Sequence, residues 1–447
     1  MTIAAGLACY SSDGGKTWTK PEHLPVKIED AIRLRTGEIG GRQGTRFYVS
    51  ADEGRTWTLR GQMVGWPGGP YHDVMIQTRS GRILLPVRIT GAGHQGQYNQ
   101  SAALGMIQGE KQLIEGHAHW PEADMAFVFY SDDDGKTWHQ SEGTVMVWLK
   151  DGFGGMWPCD EPNIIELRNG DVVMYCRTSL GRIYTARSGY SERTASDGRL
   201  IKYLPGVRFD QPHPTQLASS YSPCRVRRIP KTGDLLCFWN NVSGDEIRAG
   251  YRRGRLSTAI SKDDGTTCQH FRTVDRVVLP PAGYVAPDPE PGMARSFKYV
   301  GELPDDYGNV DYPNIAFHGD NVILTWHRKV VKPRPGDVMG ARLRILPLSW
   351  FYEDDPPYRP PAHAPKLLVA LEGKEPAQVP SLYCDDRFFV KLSDVARALG
   401  RNIEGDMYAP IHQALTYLGY KVTYDMRRLR DAKDARVLAT VQPEKYK

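Results

Sequence analysis

Ser131-Asp132-Asp133-Asp134-Gly135-Lys136-Thr137-Trp138 is the stretch that decides the fold, because the chain repeats it. Ser11 to Trp18 reads SSDGGKTW, and Ser50 to Trp57 reads SADEGRTW. A further copy, Ser261 to Cys268, reads SKDDGTTC and carries Cys where the others carry Trp. The shared pattern is Ser-x-Asp-x-Gly-x-Thr-Trp. Ser and Asp side chains hydrogen-bond the backbone of their own turn, Gly accepts a positive φ, and Thr-Trp starts a strand with a large apolar anchor. Each copy therefore predicts a hairpin corner, a structural device rather than a seat of chemistry.

A second unit recurs between these copies: an apolar strand, a Gly turn and another apolar strand. It reads DAIRLRTGEI from Asp30, DVMIQTRSGRILLP from Asp73 and EPNIIELRNGDVVMYC from Glu161. It recurs as RVRRIPKTGDLLCFW from Arg225 and YPNIAFHGDNVILTW from Tyr312, with turn glycines Gly37, Gly81, Gly170, Gly233 and Gly319. β-Branched and large apolar residues on both sides of a Gly turn predict hairpins. Strand units in tandem predict a propeller, whose ring protects the sheet edges. A β-sandwich accounts for the strands but not for the tandem octapeptides.

The octapeptides resemble the Asp-box, or BNR repeat, of the sialidase (neuraminidase) superfamily and related six-bladed β-propellers. The resemblance covers roughly residues 1–355 and implies an all-β, six-bladed propeller followed by a small α+β domain. Blade boundaries fall near 1–28, 29–66, 67–150, 151–215, 216–290 and 291–355. The first blade reads as incomplete, because Thr2 to Tyr10 is one strand leading straight into the first octapeptide. Either the ring closes in an unusual way or the natural chain begins upstream of Met1, and the second is the expectation. Met1 to Leu7 is too short and uncharged for a signal peptide, so a secreted or periplasmic site stays open if the start is truncated.

The chain has 447 residues, with 45 Gly, 23 Tyr and 10 Trp, a bias that suits strands, turns and sugar-binding clefts. Its formal net charge is +5 with charges interspersed, and no basic run points to nucleic acid. No apolar run is long enough to span a membrane. The seven Cys are scattered without C-x-x-C spacing, which supports neither a zinc site nor a disulfide framework. Cys176 and Cys237 lie in apolar strand runs and read as core residues. Blade three carries an insertion, Ile89 to Asp124, with His94, His117 and His119. No carboxylate or Cys joins these histidines at a ligand spacing, so a loop over the cleft is expected rather than a metal site. Residues 356–365 (PPYRPPAHAP) form a Pro-rich linker to a domain over 366–447. There Phe388 to Leu392 reads as a strand, Ser393 as a helix cap before a short helix, and Tyr408 to Lys421 as a second helix.

Inner-strand starts converge on a propeller axis, and here they carry Glu29-Asp30, His72-Asp73, Asp160-Glu161, Arg225 and Asp311-Tyr312. Such a polar set suits a central site. The resemblance implies an exo-α-sialidase acting on a terminal sialic acid or related acidic sugar of a glycan, with retention and without cofactor. Its members bind the substrate carboxylate with three arginines, for which guanidinium forks are the geometric match. They also use a Tyr nucleophile polarised by a Glu. Carried over by motif, Tyr312 is the nucleophile, Glu161 polarises it, and Arg177 and Arg253 hold the carboxylate. Arg225 rivals Arg253, and Asp73, with Asp30 second, is the acid/base. The early Arg-Ile-Pro stretch of the family has no counterpart in the first blade, and Arg33 and Arg35, just beyond it, are weak substitutes. Two other functions remain open. A non-catalytic glycan- or protein-binding propeller predicts that the axial residues do not converge, or that no carboxylate sits within reach of Tyr312. A glycosidase for a neutral sugar such as an arabinan predicts that axial carboxylates outnumber axial arginines.

Overall fold

The computed structural model describes residues 2–4, 6–64, 75–90, 103–107, 110–113, 124–148, 156–157, 159–178, 180–242, 253–277, 308–330, 339–356, 366–371, 374–384, 387–403, 408–411, 414–415, 418, 420–425 and 436–443. Asp73, the three insertion histidines and most of the Pro-rich stretch lie outside them.

Through Pro347 the described chain is a succession of antiparallel sheets. The first holds β1 (Thr2–Ala4), β2 (Leu7–Cys9) and β3 (Glu22–His23). The second holds β4 (Asp30–Arg33), β5 (Ile39–Gln43), β6 (Arg46–Ser50) and β7 (Thr58–Gln62). The third holds β8 (Ile76–Gln77), β9 (Ile83–Thr90), β12 (Asp124–Ser131) and β13 (His139–Gln140). Its insertion carries a separate hairpin of β10 (Ala103–Ile107) and β11 (Glu110–Leu113), and a ribbon of β14 (Val147–Trp148) and β15 (Met156–Trp157) follows.

The fourth sheet holds β16 (Asp160–Glu166), β17 (Val172–Arg177), β18 (Arg182–Ser188) and β21 (His213–Ala218). A hairpin of β19 (Ser191–Thr194) and β20 (Leu200–Tyr203) leaves it at the corner where the octapeptide sits in other sheets. The fifth holds β22 (Arg225–Arg228), β23 (Leu235–Trp239), β24 (Arg255–Ser261) and β25 (Gln269–Arg276). The last holds β26 (Gly308–His318), β27 (Asn321–Val330) and β28 (Gly340–Pro347), followed by a 3-10 turn at Leu348–Tyr352.

This is a β-propeller with five regular blades. The sixth expected blade is represented by the short strands β1–β3. Thr2 to Tyr10, read as one strand, is two, because Gly6 turns between them at φ 81°. Gly37, Gly81, Gly170, Gly233 and Gly319 all take positive φ, between 56° and 100°, as the hairpin turns require.

Alternate residues of a strand point to opposite faces, and here both faces are buried. Leu85 and Phe127 pack with Leu34, Phe47 and Val49 of the preceding sheet. Their neighbours Leu84 and Ala126 pack with Ile164, Val172 and Met174 of the following one. Val173 and Tyr175 meet Leu235 and Cys237, while Leu236 and Phe238 meet Val310, Val322 and Leu324. Two-sided burial explains why these strands read as continuous apolar runs. Each large side chain so buried contributes roughly 1.5–3 kcal/mol. The ring closes through the first octapeptide, since Gly15 lies against Ile323 and Ile345 of the last sheet. Gly6 N–H donates to the Ile28 carbonyl at 3.2 Å, tying the first sheet to the second.

The four octapeptides form one and the same turn. In the copy between β12 and β13, Ser131 Oγ accepts the Gly135 N–H at 2.9 Å. Asp133 accepts the Thr137 N–H at 2.8 Å and its hydroxyl at 2.7 Å, and Trp138 Nε1 donates to the Gly135 carbonyl at 3.0 Å. Burial raises the Asp133 pKa, but the Thr137 and Ser131 bonds outweigh it and bring it down to about 2. Asp52, bonded first to the Thr56 N–H, also falls to about 2. The copy with Cys268 keeps the Ser261, Asp263 and Thr267 bonds without the indole.

The C-terminal residues form a core of their own from Leu367, Val369, Val390, Val395, Leu415 and their neighbours. It is framed by β29 (Lys366–Leu371), β30 (Ala377–Val379), β31 (Ser381–Cys384) and β32 (Arg387–Lys391). The remaining elements are α1 (Leu392–Ala398), β33 (Tyr408–Pro410), β34 (Tyr420–Asp425) and β35 (Arg436–Pro443). Ser393 lies inside α1, whose N-cap residue is Lys391, with no side-chain hydrogen bond capping the helix. The expected second helix is shorter than its sequence pattern, because Tyr408–Pro410 pairs with β32 and Tyr420 opens β34. No helix among the described residues is long and apolar enough to cross a membrane.

Candidate active site

The tetrapeptide Asp-x-Pro-Asn occurs at the start of β16, as Asp160-Glu161-Pro162-Asn163, and again within β26, as Asp311-Tyr312-Pro313-Asn314. Asp160 pairs with Arg177 and Asn163 with Tyr175, so Glu161 and Pro162 together oppose the single residue Cys176. Asp311 pairs with His327 and Asn314 with Thr325, leaving Tyr312 and Pro313 opposite Trp326. Both are β-bulges, and the bulged residue is left-handed in each, at φ 37° for Glu161 and 53° for Tyr312. A non-Gly residue held there costs about 1–3 kcal/mol, and such strain concentrates at functional sites. The two residues presented this way are the two assigned to nucleophilic chemistry from the sequence.

Around Glu161 the chain builds a buried ionic cluster. Arg177 Nη1 lies 2.6 Å from Glu161 Oε2 and 3.7 Å from Asp160 Oδ2. Asp160 is fully buried and accepts from Arg88 Nη1 at 2.9 Å, from Tyr221 OH at 2.9 Å and from the Glu161 N–H at 2.7 Å. The Arg177 guanidinium stacks on the Tyr221 ring at 3.8 Å. Burial works against the Arg177 charge, but Glu161 and Asp160, helped by Tyr221 and Tyr312, raise its pKa well above the usual arginine range. Tyr312 therefore belongs to the same electrostatic cluster, although it comes from another blade.

On the Tyr312 side, Arg253 Nη1 donates to Asp311 Oδ2 at 3.0 Å and Nη2 to the Tyr221 carbonyl at 3.3 Å. Its guanidinium carbon lies 5.4 Å from the Tyr312 ring centre. Arg225 Nε donates to the Pro313 carbonyl at 3.3 Å, joining the start of β22 to the second bulge. Asn163 Oδ1 accepts the Val226 N–H at 2.6 Å, and Asn240 Nδ2 donates to the Val310 carbonyl at 2.7 Å. These bonds run from blade to blade and fix the register of the two bulges.

Of the residues singled out from sequence, the structure brings together Glu161, Arg177, Arg253, Arg225 and Tyr312; Asp73 lies outside the described residues. Asp30, the second acid/base candidate, accepts from Arg42 Nε at 2.8 Å and Nη2 at 2.6 Å, while Glu29 takes Arg42 Nη1 at 2.6 Å. Arg33 pairs with Glu53 on the exterior, and Arg35 donates to the Arg79 carbonyl. The sequence reading noted Asp160 and Asp311 at strand starts without a role, and missed Arg88 and Tyr221. The repeated Asp-x-Pro-Asn was the signal for the two aspartates. Among the described residues, no three His, Cys, Asp or Glu side chains converge as a metal site.

Residues 31–323 match the family described as a BNR repeat-like domain. No curated protein matches the chain. Among solved structures, a protein of unknown function from Dyadobacter fermentans is similar over 76% of this chain and 83% of its own, at 18% identity and a TM-score of 0.45. A mutant NanB sialidase from Streptococcus pneumoniae is similar over 77% and 71%, at 11% identity and a TM-score of 0.31. The α-L-arabinofuranosidase Arb93A from Fusarium graminearum is similar over 72% and 93%, at 11% identity and a TM-score of 0.36.

Proposed function

The chain belongs to the BNR repeat-like family, and on that premise we propose that it is a retaining glycosidase that removes a terminal sugar from a glycan. The observation that supports this most is the twin bulge, which holds Tyr312 and Glu161 in the same left-handed backbone conformation, with Glu161 2.6 Å from the buried Arg177 and Tyr312 beside Arg253.

In this reading Tyr312 Oη attacks the anomeric carbon while Glu161 takes the phenol proton. The bond to the leaving oxygen breaks, and that oxygen takes a proton from Asp73. Water then attacks the anomeric carbon, returns a proton to Asp73, and the tyrosine oxygen leaves and recovers its own proton from Glu161. A phenol suits a site where a carboxylate nucleophile would face nearby anions, and Tyr nucleophiles are a known departure from the usual carboxylate pair. No cofactor is needed. In the exo-α-sialidase form of the reaction, Arg177, Arg253 and Arg225 hold the substrate carboxylate. In the neutral-sugar form, Arg177 and Arg253 hold the site's own carboxylates.

The test is release of 4-methylumbelliferone from its sialic acid conjugate and from a panel of neutral-sugar conjugates. The parent chain is run beside Tyr312→Phe and Glu161→Gln. Turnover of any conjugate that both substitutions lower by about 100-fold or more, with circular dichroism unchanged, supports the assignment. Turnover that either variant retains in full overturns it.

A further inference from the structure

The sugar class can be argued from which charged groups at the mouth are committed and which face outward. This inference rests on the glycosidase reading of the site.

Four guanidiniums at the inner-strand starts and their partners are held by carboxylates of the protein itself. Arg42 is held by Asp30 and Glu29, both at 2.6 Å, and Arg88 by Asp160 at 2.9 Å. Arg177 is held by Glu161 at 2.6 Å and Arg253 by Asp311 at 3.0 Å. Five carboxylates hold these four guanidiniums, and a fifth guanidinium at the inner-strand starts, Arg225, donates to the Pro313 carbonyl at 3.3 Å.

Accessibility points the same way. The side chains of Arg42, Arg177, Arg88 and Arg253 are 2%, 2%, 8% and 13% exposed. Tyr312 is 42% exposed, and the side chains of Glu29 and His327 are 38% and 53% exposed. His327 lies beside Asp311, with Nδ1 3.8 Å from Oδ1. The more exposed of these groups are therefore a phenol, a carboxylate and an imidazole, which are hydrogen-bond partners for sugar hydroxyls. Arg42, Arg88, Arg177 and Arg253 are the more buried ones. A substrate carboxylate reaching Arg177 competes with Glu161, 2.6 Å from Nη1, for that guanidinium.

We propose that the mouth takes an uncharged terminal sugar, with Arg42, Arg88, Arg177 and Arg253 serving to position its carboxylates rather than to bind a substrate anion. The experiment has two readouts on the full parent chain. The first is turnover of 4-methylumbelliferyl conjugates of neutral pentoses, neutral hexoses and sialic acid. The second is saturation-transfer NMR with the methyl glycosides of the same sugars, which does not require catalysis. The expected result is turnover of a neutral conjugate with kcat/KM at least about 100-fold above that of the sialic acid conjugate. Preferred turnover of the sialic acid conjugate overturns this inference and leaves the glycosidase reading standing. Binding of a neutral glycoside but not the sialoside, with no conjugate turned over, supports the inference and overturns catalysis. Binding of the sialoside without turnover, or of no sugar at all, overturns both.

Discussion

Replacing Asp160 by Ala tests whether the buried ionic cluster is the support of the site. Asp160 has no exposure, and its two oxygens take Arg88, Tyr221 and the Glu161 N–H, all within 2.9 Å. Removing it leaves Arg88 buried without the carboxylate that holds it, while Arg177 keeps Glu161 at 2.6 Å. Breaking a buried ion pair from one side costs about 3–5 kcal/mol. The lost Tyr221 bond overlaps with that figure rather than adding to it, because the groups share one network. The expected loss is about 4 kcal/mol, close to a thousandfold in the folding equilibrium. Asp160→Asn keeps one acceptor for Arg88 and loses about 2 kcal/mol. Adding Arg88→Met to Asp160→Ala removes the buried guanidinium that faced Asp160 and recovers about 1–2 kcal/mol. The assay is guanidinium chloride unfolding followed by tryptophan fluorescence. A loss below about 1 kcal/mol for Asp160→Ala, or a double variant less stable than the single one, refutes the reasoning.

Further predictions concern the framework. The octapeptide aspartates Asp52 and Asp133 fall to about 2 in the folded chain, and Asp13 and Asp263 are also lowered. Because the unfolded chain takes up protons first, near pH 4, their stabilisation is complete above that pH and is lost as pH falls toward 2. Melting temperatures between pH 6 and 2.5 should drop through this window, and Asp133→Asn should flatten part of the drop. Gly61→Ala places a Cβ 2.1 Å from the Gly135 carbonyl oxygen and 2.7 Å from that of Lys136, backbone atoms of the next blade. It should cost about 2 kcal/mol or more in the same unfolding assay. Gly37→Ala meets no atom within 4 Å and should lose only about 1 kcal/mol, from its φ of 90°.

The blades were legible because their signals are local. Ser131 to Trp138 and its copies are turns whose bonds lie within the octapeptide, so four short strings carry the corners of four sheets. The Gly turns of the hairpins are equally local. Blade number was harder, since β1 to β3 total only a few residues and the Gly6 turn is hidden in an apolar run. The site was half legible. Glu161 and Arg177 stand at strand ends and Tyr312 within β26, all in recognisable units, but Arg88 sits in the apolar run of β9, where its sequence neighbours indicate only a core strand. Its partner Asp160 is 72 residues away and in the next blade. Pairings of that kind are set by ring closure and leave no period in the sequence. Tyr408 to Lys421 shows the opposite failure, where helical spacing at its ends gives way to pairing with β32 and β35.

In the proposed reaction Tyr312 becomes covalently bonded to the sugar. Incubation with a glycosyl fluoride of whichever sugar class the conjugate assays select, carrying a second fluorine on the carbon next to the anomeric one, followed by peptide mass spectrometry, reads this out. The expected result is a glycosyl adduct on Tyr312, formed with inactivation and absent in Tyr312→Phe. An adduct on Glu161 or another carboxylate, or inactivation that persists in Tyr312→Phe, would contradict it.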